Sequence, residues 1–148
     1  MIDEIDHQIL QILQEKARIP NAEVARRVGM VPSAVLERIR KLEERGFIEG
    51  YEVRLNPHEF GQGLTAFVQL RVVADERLVE QLCAVTGVQE VHQVAGEDGY
   101  LLKLRVADNT ELGVVLRDEL APLKGVISTR TCIVLNTIKE TRQIDLNR

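Results

Sequence analysis

The sequence predicts an α+β protein in two parts: an N-terminal winged helix-turn-helix, then a ferredoxin-like βαββαβ sandwich. Three observations predict it. Residues Asn21 to Gly46 read as two short helices joined by a tight Gly29-Met30-Val31-Pro32 turn. From Thr65 onward, β-rich runs and helical periodicity follow the order strand, helix, strand, strand, helix, strand. Finally, Leu82–Val88 echoes Leu120–Val126, each a helix end, a glycine and a strand start, as two βαβ halves require.

The first helix is expected from about Asp3, with Ile5, Ile9, Ile12 and Leu13 on one face. Asp3, Glu4 and Asp6 fall in its first turn, where the helix dipole favours negative charge. Asn21 is the expected N-cap of the second helix and Gly29 its terminator, with Val24 and Val28 turned inward. Pro32 suits the first turn of the third helix, although Val31 is a poor cap. Gly46 ends that helix. Phe47–Asn56 then has β character, with Tyr51, Val53 and Leu55 alternating, and predicts a two-stranded wing.

Pro and Gly punctuate residues 57–63, so the parts divide into a helix-turn-helix domain over 1–56, a linker over 57–63 and a βαββαβ domain over 64–148. Within the latter, strands are expected at Thr65–Ala74, Val88–Ala95, Tyr100–Ala107 and Val126–Thr137, with helices at Arg77–Val85 and Thr110–Leu123. Leu78, Val79, Leu82 and Cys83 should share the inward face of the first of these helices. Gln143–Leu146 is expected as a further edge strand. Helices covering one sheet face leave the other partly apolar, which favours self-association.

At 148 residues, 45% of them hydrophobic and 28% charged, the chain can build one or two small cores under a well-solvated surface. No apolar run approaches the ~20 residues of a membrane span, and MIDEIDHQ lacks the pattern of a secretory leader, so a cytoplasmic location is expected. Cys83 and Cys132 lie far apart and are expected reduced and buried. The net charge of −4 is unevenly spread: from Lys16 to Arg45, eight basic residues face four acidic ones. A local basic surplus of this kind is the electrostatic footprint of nucleic-acid binding.

Helical geometry turns 100° per residue. Val35, Ile39 and Leu42 of the third helix therefore face the core, and Ser33, Glu37, Arg40, Lys41 and Glu44 face outward. Ser33, Ala34 and Glu37 lie toward the end of a recognition helix that approaches base edges, and a carboxylate can accept from a cytosine amino group. Arg38, Arg40 and Lys41, with Arg26 and Arg27 of the second helix, suit phosphates. Each also has a plainer reading as solvated surface: Glu37 and Lys41 as an i, i+4 ion pair, Arg38 as the partner of a wing carboxylate.

One ordered set of residues extends this reading to nearly the whole chain. It comprises Ile5-Asp6, Ile9-Leu10, Val24-Ala25, Val28-Gly29, the run Val35–Glu43 (VLERIRKLE), Gly46-Phe47-Ile48, Gly50-Tyr51, Leu55-Asn56-Pro57, Val94–Asp98, Tyr100–Lys103 and Ser128–Thr131. In these the chain resembles the Lrp/AsnC family of bacterial and archaeal regulators. The resemblance implies a DNA-binding winged helix-turn-helix, a RAM-type effector domain, and dimers joined through the C-terminal sheets that assemble further, often to octamers. It implies an amino-acid effector held between C-terminal domains. By position the effector residues would be Gly96, Glu97, Asp98, Gly99 and Tyr100, with Asp108, Thr129 and Thr131 lining the same cleft. Backbone N–H groups and Thr hydroxyls suit a carboxylate, and Asp98 or Asp108 an ammonium. One departure stands out: many members carry an aspartate directly before the aromatic, where this chain has Gly99.

The sequence therefore reads as a transcriptional regulator whose partners are double-stranded DNA, a small effector and further copies of itself. Two other classes compete. One is a DNA-wrapping architectural protein without an effector. The other is an enzyme resembling the Lrp-like sirohaem decarboxylases, with His92 as its candidate acid or base. His7 and His58 complete no metal cluster, and no nucleophile or phosphate-loop motif is present, so no catalytic residue, metal or cofactor is expected.

Overall fold

The computed structural model describes residues 1–97 and 99–147, which form two compact units. Unit 1 comprises Met1–Arg54 together with the segment from Lys139 onward, and unit 2 spans Leu55–Ile138. The effector domain expected over 64–148 thus loses its last segment to the helical unit. The expected linker is not structureless either. Pro57–Phe60 is a 3-10 turn opened by Asn56, whose side chain accepts from the His58 amide at 3.2 Å.

Unit 1 is built on α1 (Glu4–Glu15), α2 (Asn21–Val28) and α3 (Pro32–Glu44). A capping box starts α1: the Asp6 amide donates to Asp3 at 2.8 Å and the Asp3 amide to Asp6 at 3.2 Å. Asn21 does not cap α2. Pro20 takes that position in an extended conformation, and its carbonyl accepts from Glu23 and Val24. Val31 precedes α3 without a side-chain cap, as its chemistry requires. Ile9, Leu10, Ile19, Val24, Ala25, Val35, Ile39 and Leu42 form the core, with Val28 packed at its edge.

The wing is absent among the described residues. After α3 the amides of Phe47 and Ile48 turn back to the Leu42 carbonyl, and the Tyr51 hydroxyl donates to Glu43 at 2.8 Å. Tyr51, Val53 and Leu55 alternate, but they belong to no strand and are exposed. The expected edge strand at Gln143–Leu146 is also absent. That segment runs along α1 instead. The Gln14 carboxamide accepts from the Ile144 amide at 2.8 Å and donates to its carbonyl at 3.1 Å. The Gln143 side chain donates to the Gln14 carbonyl at 2.9 Å, satisfying a group in the last turn of α1 that has no helical partner. Leu146 packs on the helical core, and Arg142 pairs with Glu52 at 2.6 Å.

Unit 2 contains β1 (Leu64–Val72), α4 (Leu78–Cys83), β2 (Val88–Gln93), β3 (Tyr100–Val106), α5 (Asn109–Val114) and β4 (Val126–Ile133). The sheet is antiparallel in the order β2-β3-β1-β4. Strand alternation places Ala66, Val68 and Leu70 of β1 and Leu102, Leu104 and Val106 of β3 on one face. Leu78 and Leu82 of α4, and Leu112, Val115 and Leu120 of α5 and its continuation, cover that face. Over Val115–Leu120 the helix widens to i, i+5 bonding, with the Ala121 amide on the Leu116 carbonyl at 3.0 Å. Val79 and Cys83 turn outward, because a six-residue helix has room for one inward stripe only.

The internal echo has a physical basis. Gly87 and Gly125 adopt φ values of 74° and 96°, and a side chain on either would press on a backbone carbonyl, of Arg105 and Val73 respectively. Those glycines also accept from the Arg105 and Val73 amides, at 2.7 and 2.8 Å. The uncovered sheet face is mixed: Phe67, Leu101 and Cys132 stand among Gln69, Arg71, His92, Lys103, Arg105 and Arg130. Both cysteines are free and exposed rather than buried, Cys132 because it lies on this open face of an edge strand.

Gln14→Ala is expected to release the C-terminal segment from α1, speeding hydrogen exchange at the Ile144 amide and lowering unit 1 stability by about 1 kcal/mol. Unchanged protection at Ile144 would show that Gln14 does not hold it.

Candidate nucleic-acid interface and effector module

The rotation of α3 is set from behind. Val35, Ile39 and Leu42 are 0%, 7% and 1% exposed. Ser33, Glu37, Arg40, Lys41 and Glu44 are consequently exposed on the opposite side, with Ala34 half-buried beside them. On α2 the same segregation buries Val24 and Ala25 and exposes Arg26 and Arg27.

These basic side chains are not isolated charges. Arg40 forms a two-pronged contact with Glu37 at 2.9 and 3.2 Å and reaches Glu44 at 3.2 Å. Lys41 lies 3.7 Å from Glu37. On α2, Glu23 accepts from Arg26 at 2.6 Å and from Arg27 at 3.1 Å. Those two guanidinium contacts, Arg26 first, bring the Glu23 carboxyl down to about 2. The hydrogen bond from Arg40 likewise lowers the pKa of Glu37. Arg45 lies over the Phe47 ring at 4.9 Å from its centre.

Arg38 differs from the rest. Its guanidinium donates to Asp3 at 2.8 Å and to Asp6 at 2.7 Å, both members of the α1 capping box. Its partner is thus not a wing carboxylate, and its guanidinium is engaged in tying α3 to the start of α1. The sequence placed Asp3 and Asp6 in the first turn of α1; that an arginine from α3 would pair with both was not legible, because the pairing spans 32 to 35 residues. Burial, and then Glu43, push the Tyr51 hydroxyl up to about 12, so it remains a donor to α3.

In unit 2 the proposed effector residues separate into groups. Gly96, Glu97 and Gly99 lie in the turn between β2 and β3, while Asp98 is outside the described residues. The Gly99 amide donates to the Leu70 carbonyl at 2.8 Å and its carbonyl accepts from Val94 at 3.0 Å. A side chain at 99 would meet Val72 Cγ2 at 2.6 Å, so the bare glycine lets this turn lie against β1. Tyr100 and Thr129 flank Leu70 on either side, and Thr131 sits opposite Val68, so all three share the helix-covered face. Asp108 does not join them within one chain. It lies beyond the far end of β3, about 20 Å along the strand from Tyr100, where its carboxylate caps α5 by accepting from Glu111 at 2.9 Å. Among the described residues no cluster of three His, Cys, Asp or Glu side chains is placed to hold a metal ion.

Comparison with known proteins matches both units. Residues 2–49 fit the winged helix-turn-helix DNA-binding family and residues 65–144 the Lrp/AsnC ligand binding domain. The chain belongs to the Lrp/AsnC family. It is 39% identical over 148 residues to the leucine-responsive regulatory proteins of Escherichia coli and Klebsiella pneumoniae, a match spanning 97% of this chain and 90% of each relative. A transcriptional regulator from Neisseria meningitidis, solved as its L-Met complex, superposes with a TM-score of 0.94 at 30% identity, over 99% of this chain and 98% of that one. Escherichia coli AsnC superposes with a TM-score of 0.86 at 25% identity, over 97% and 98%. As an Lrp/AsnC member the chain is a DNA-binding transcriptional regulator with a ligand-binding module.

Arg38→Ala should lower the unfolding temperature of unit 1 and flatten its acid dependence. The backbone bond from Asp6 and then Arg38 depress the Asp3 carboxyl. A depressed carboxyl contributes stability that is present above about pH 4 and is lost as pH falls through its folded value. Thermal unfolding at pH 7 and pH 3 tests this: equal losses in wild type and variant would remove Arg38 from the acid-sensitive contact.

Proposed function

We propose that this regulator reads duplex DNA in a sequence-specific manner with the outward strip of α3, and that its assembly or DNA binding responds to an amino acid. The observation that carries the DNA half is the segregation of α3: three apolar side chains sealed behind it and Ser33, Ala34, Glu37, Arg40 and Lys41 in front. Ser33, Ala34 and Glu37 approach base edges, whereas Arg40, Lys41, Arg26 and Arg27 meet phosphates. Arg38 supports this surface by holding α3 to α1.

The effector half rests on the ligand-binding family match, on relatives named for leucine and on a neighbour solved with L-Met. The backbone amides of Gly96 and Glu97 and the hydroxyls of Thr129 and Thr131 would serve the carboxylate, beside Tyr100. Asp108, distant within one chain, would contribute only from a neighbouring copy. Gly99 favours a second reading, a DNA-wrapping protein without an effector, because position 99 supplies no carboxylate for an ammonium.

In this proposal the protein acts in the cytoplasm by binding rather than catalysis; no helix among the described residues is long and apolar enough to cross a membrane. Copies pair into at least a dimer, placing two α3 helices about 34 Å apart, one turn of duplex. Larger rings such as octamers would join such dimers through a further contact, because a two-fold interface is used up within the dimer.

Arg40→Ala and Lys41→Ala should each weaken binding to every sequence and reduce the log–log salt slope by ~1. Unchanged slopes in fluorescence titrations would take both residues off the phosphate interface. For the effector, the twenty amino acids are titrated while oligomer mass and unfolding temperature are followed. A shift in either supports the sensor; no response to any of them favours the effector-free reading.

A further inference from the structure

The outward cations of the DNA-binding surface share one property: each already has a carboxylate. Arg26 and Arg27 converge on Glu23, Arg40 on Glu37 and Glu44, and Lys41 on Glu37. On the α3 strip two cations, Arg40 and Lys41, are matched by two anions, Glu37 and Glu44, so that strip has no net charge, and the surplus on the surface is the one left where Arg26 and Arg27 share Glu23. Surface pairs of this kind are individually weak and open readily. Their effect is therefore on charge balance rather than on folding. Non-specific affinity for DNA comes almost wholly from cations that displace counterions, and a cation neutralised by its own protein displaces fewer.

Glu37 sits at the centre of this arrangement. It lies one turn before both Arg40 and Lys41, contacts each, and is toward the N-terminal half of α3. Glu44 contacts Arg40 alone, from the last turn. A carboxylate pressed against base edges that offer only acceptors has no partner and is left with the repulsion of the phosphates. One that meets an amino donor, such as cytosine N4 in the major groove, exchanges its arginine and lysine partners for the base. Arg40 and Lys41 then turn to the backbone.

We propose that Glu37 is a specificity-determining residue that holds Arg40 and Lys41 in a neutral cluster on the wrong DNA and releases them to phosphates where the sequence supplies a donor. The inference rests on the reading of α3 as the base-contacting helix. It assigns to Glu37 the suppression of non-specific binding as well as recognition of a base.

The test compares wild type, Glu37→Gln and Glu44→Gln on two duplexes across a range of salt concentrations. One duplex has random sequence; the other is the site that wild type enriches from a randomised pool. All three proteins should fold alike, since both positions are exposed, and their unfolding temperatures check it. Glu37→Gln is expected to bind random duplex about tenfold tighter at low salt, with a slope steeper by ~1 for each cation set free. Its affinity for the enriched site should change by less than about twofold, because the charge lost there was already engaged. The specificity ratio then narrows roughly fivefold or more. Glu44→Gln should shift both duplexes equally. The inference is overturned if Glu37→Gln leaves random-duplex affinity and slope at the wild-type values, or if it strengthens both duplexes to the same degree as Glu44→Gln does. If neither wild type nor Glu37→Gln binds any duplex, the reading of α3 beneath it fails instead.

Discussion

The burial of Val35, Ile39 and Leu42 against α1 and α2 is the constraint on which the proposed DNA-binding surface depends. These three side chains are nearly free of solvent, and burying branched aliphatic groups of this size contributes about 1.5–3 kcal/mol each. Turning α3 by a single residue would replace them with Leu36, Arg40 and Glu43. Two of those are charged, and burial of an unpaired charge is far more expensive than the loss of an aliphatic contact. The rotation is fixed, and with it the identity of the outward strip. Arg38 adds a second fixing point by clasping both carboxylates of the α1 cap, so the start of one helix and the middle of another are held in register.

Unit 2 follows a different rule with the same outcome. Period-two alternation along β1 and β3 sends every second side chain beneath the helices, and the antiparallel register makes the rows continuous across strands. β4, at the edge, places Thr129 and Thr131 in those same rows. The chain then leaves β4 and returns to unit 1, where Gln14 receives it. The segment that follows β4 in the chain is thus held to α1, the helix that Arg38 clasps, by the hydrogen bonds of Gln14 and Gln143.

The parts of this architecture that were legible in the sequence are those that local physics decides. Helical spacing identified α1, α2 and α3 and the inward faces of each, and the two glycine breaks marked the βαβ halves because a left-handed backbone there leaves little choice. Most of the failures share a cause: they depended on a partner distant in sequence. Tyr51, Val53 and Leu55 alternate as a strand would, yet alternation without a second strand makes no sheet. Cys132 alternates correctly but faces the uncovered side of the sheet. Residues 143–146 look like an edge strand, and nothing local announces that a glutamine in the first helix recognises their backbone. Asn21 lost its capping role to a neighbour, since Pro20 has the extended geometry a cap needs and no amide to satisfy.

Gly99 joins the two kinds of information. In sequence it is a missing aspartate; in the structure it is a volume occupied by something else. The turn approaches β1 closely enough for the Gly99 amide to bond the Leu70 carbonyl, and the space a side chain would need is filled by Val72. Val72 is β-branched and stiff about χ1, so it cannot swing aside as a longer chain would. A carboxylate at 99 and a valine at 72 are thus alternatives for one space. The change at 99 belongs to the packing of the sheet as much as to the chemistry of the loop. An ammonium in the proposed site would find its partner elsewhere: Glu97 or its neighbour in sequence Asp98, or a group from another copy such as Asp108, which lies toward the opposite end of β3 within its own chain. Were Asp108 of another copy that partner, the proposed effector site would be completed by assembly, and ligand recognition would be linked to oligomer state.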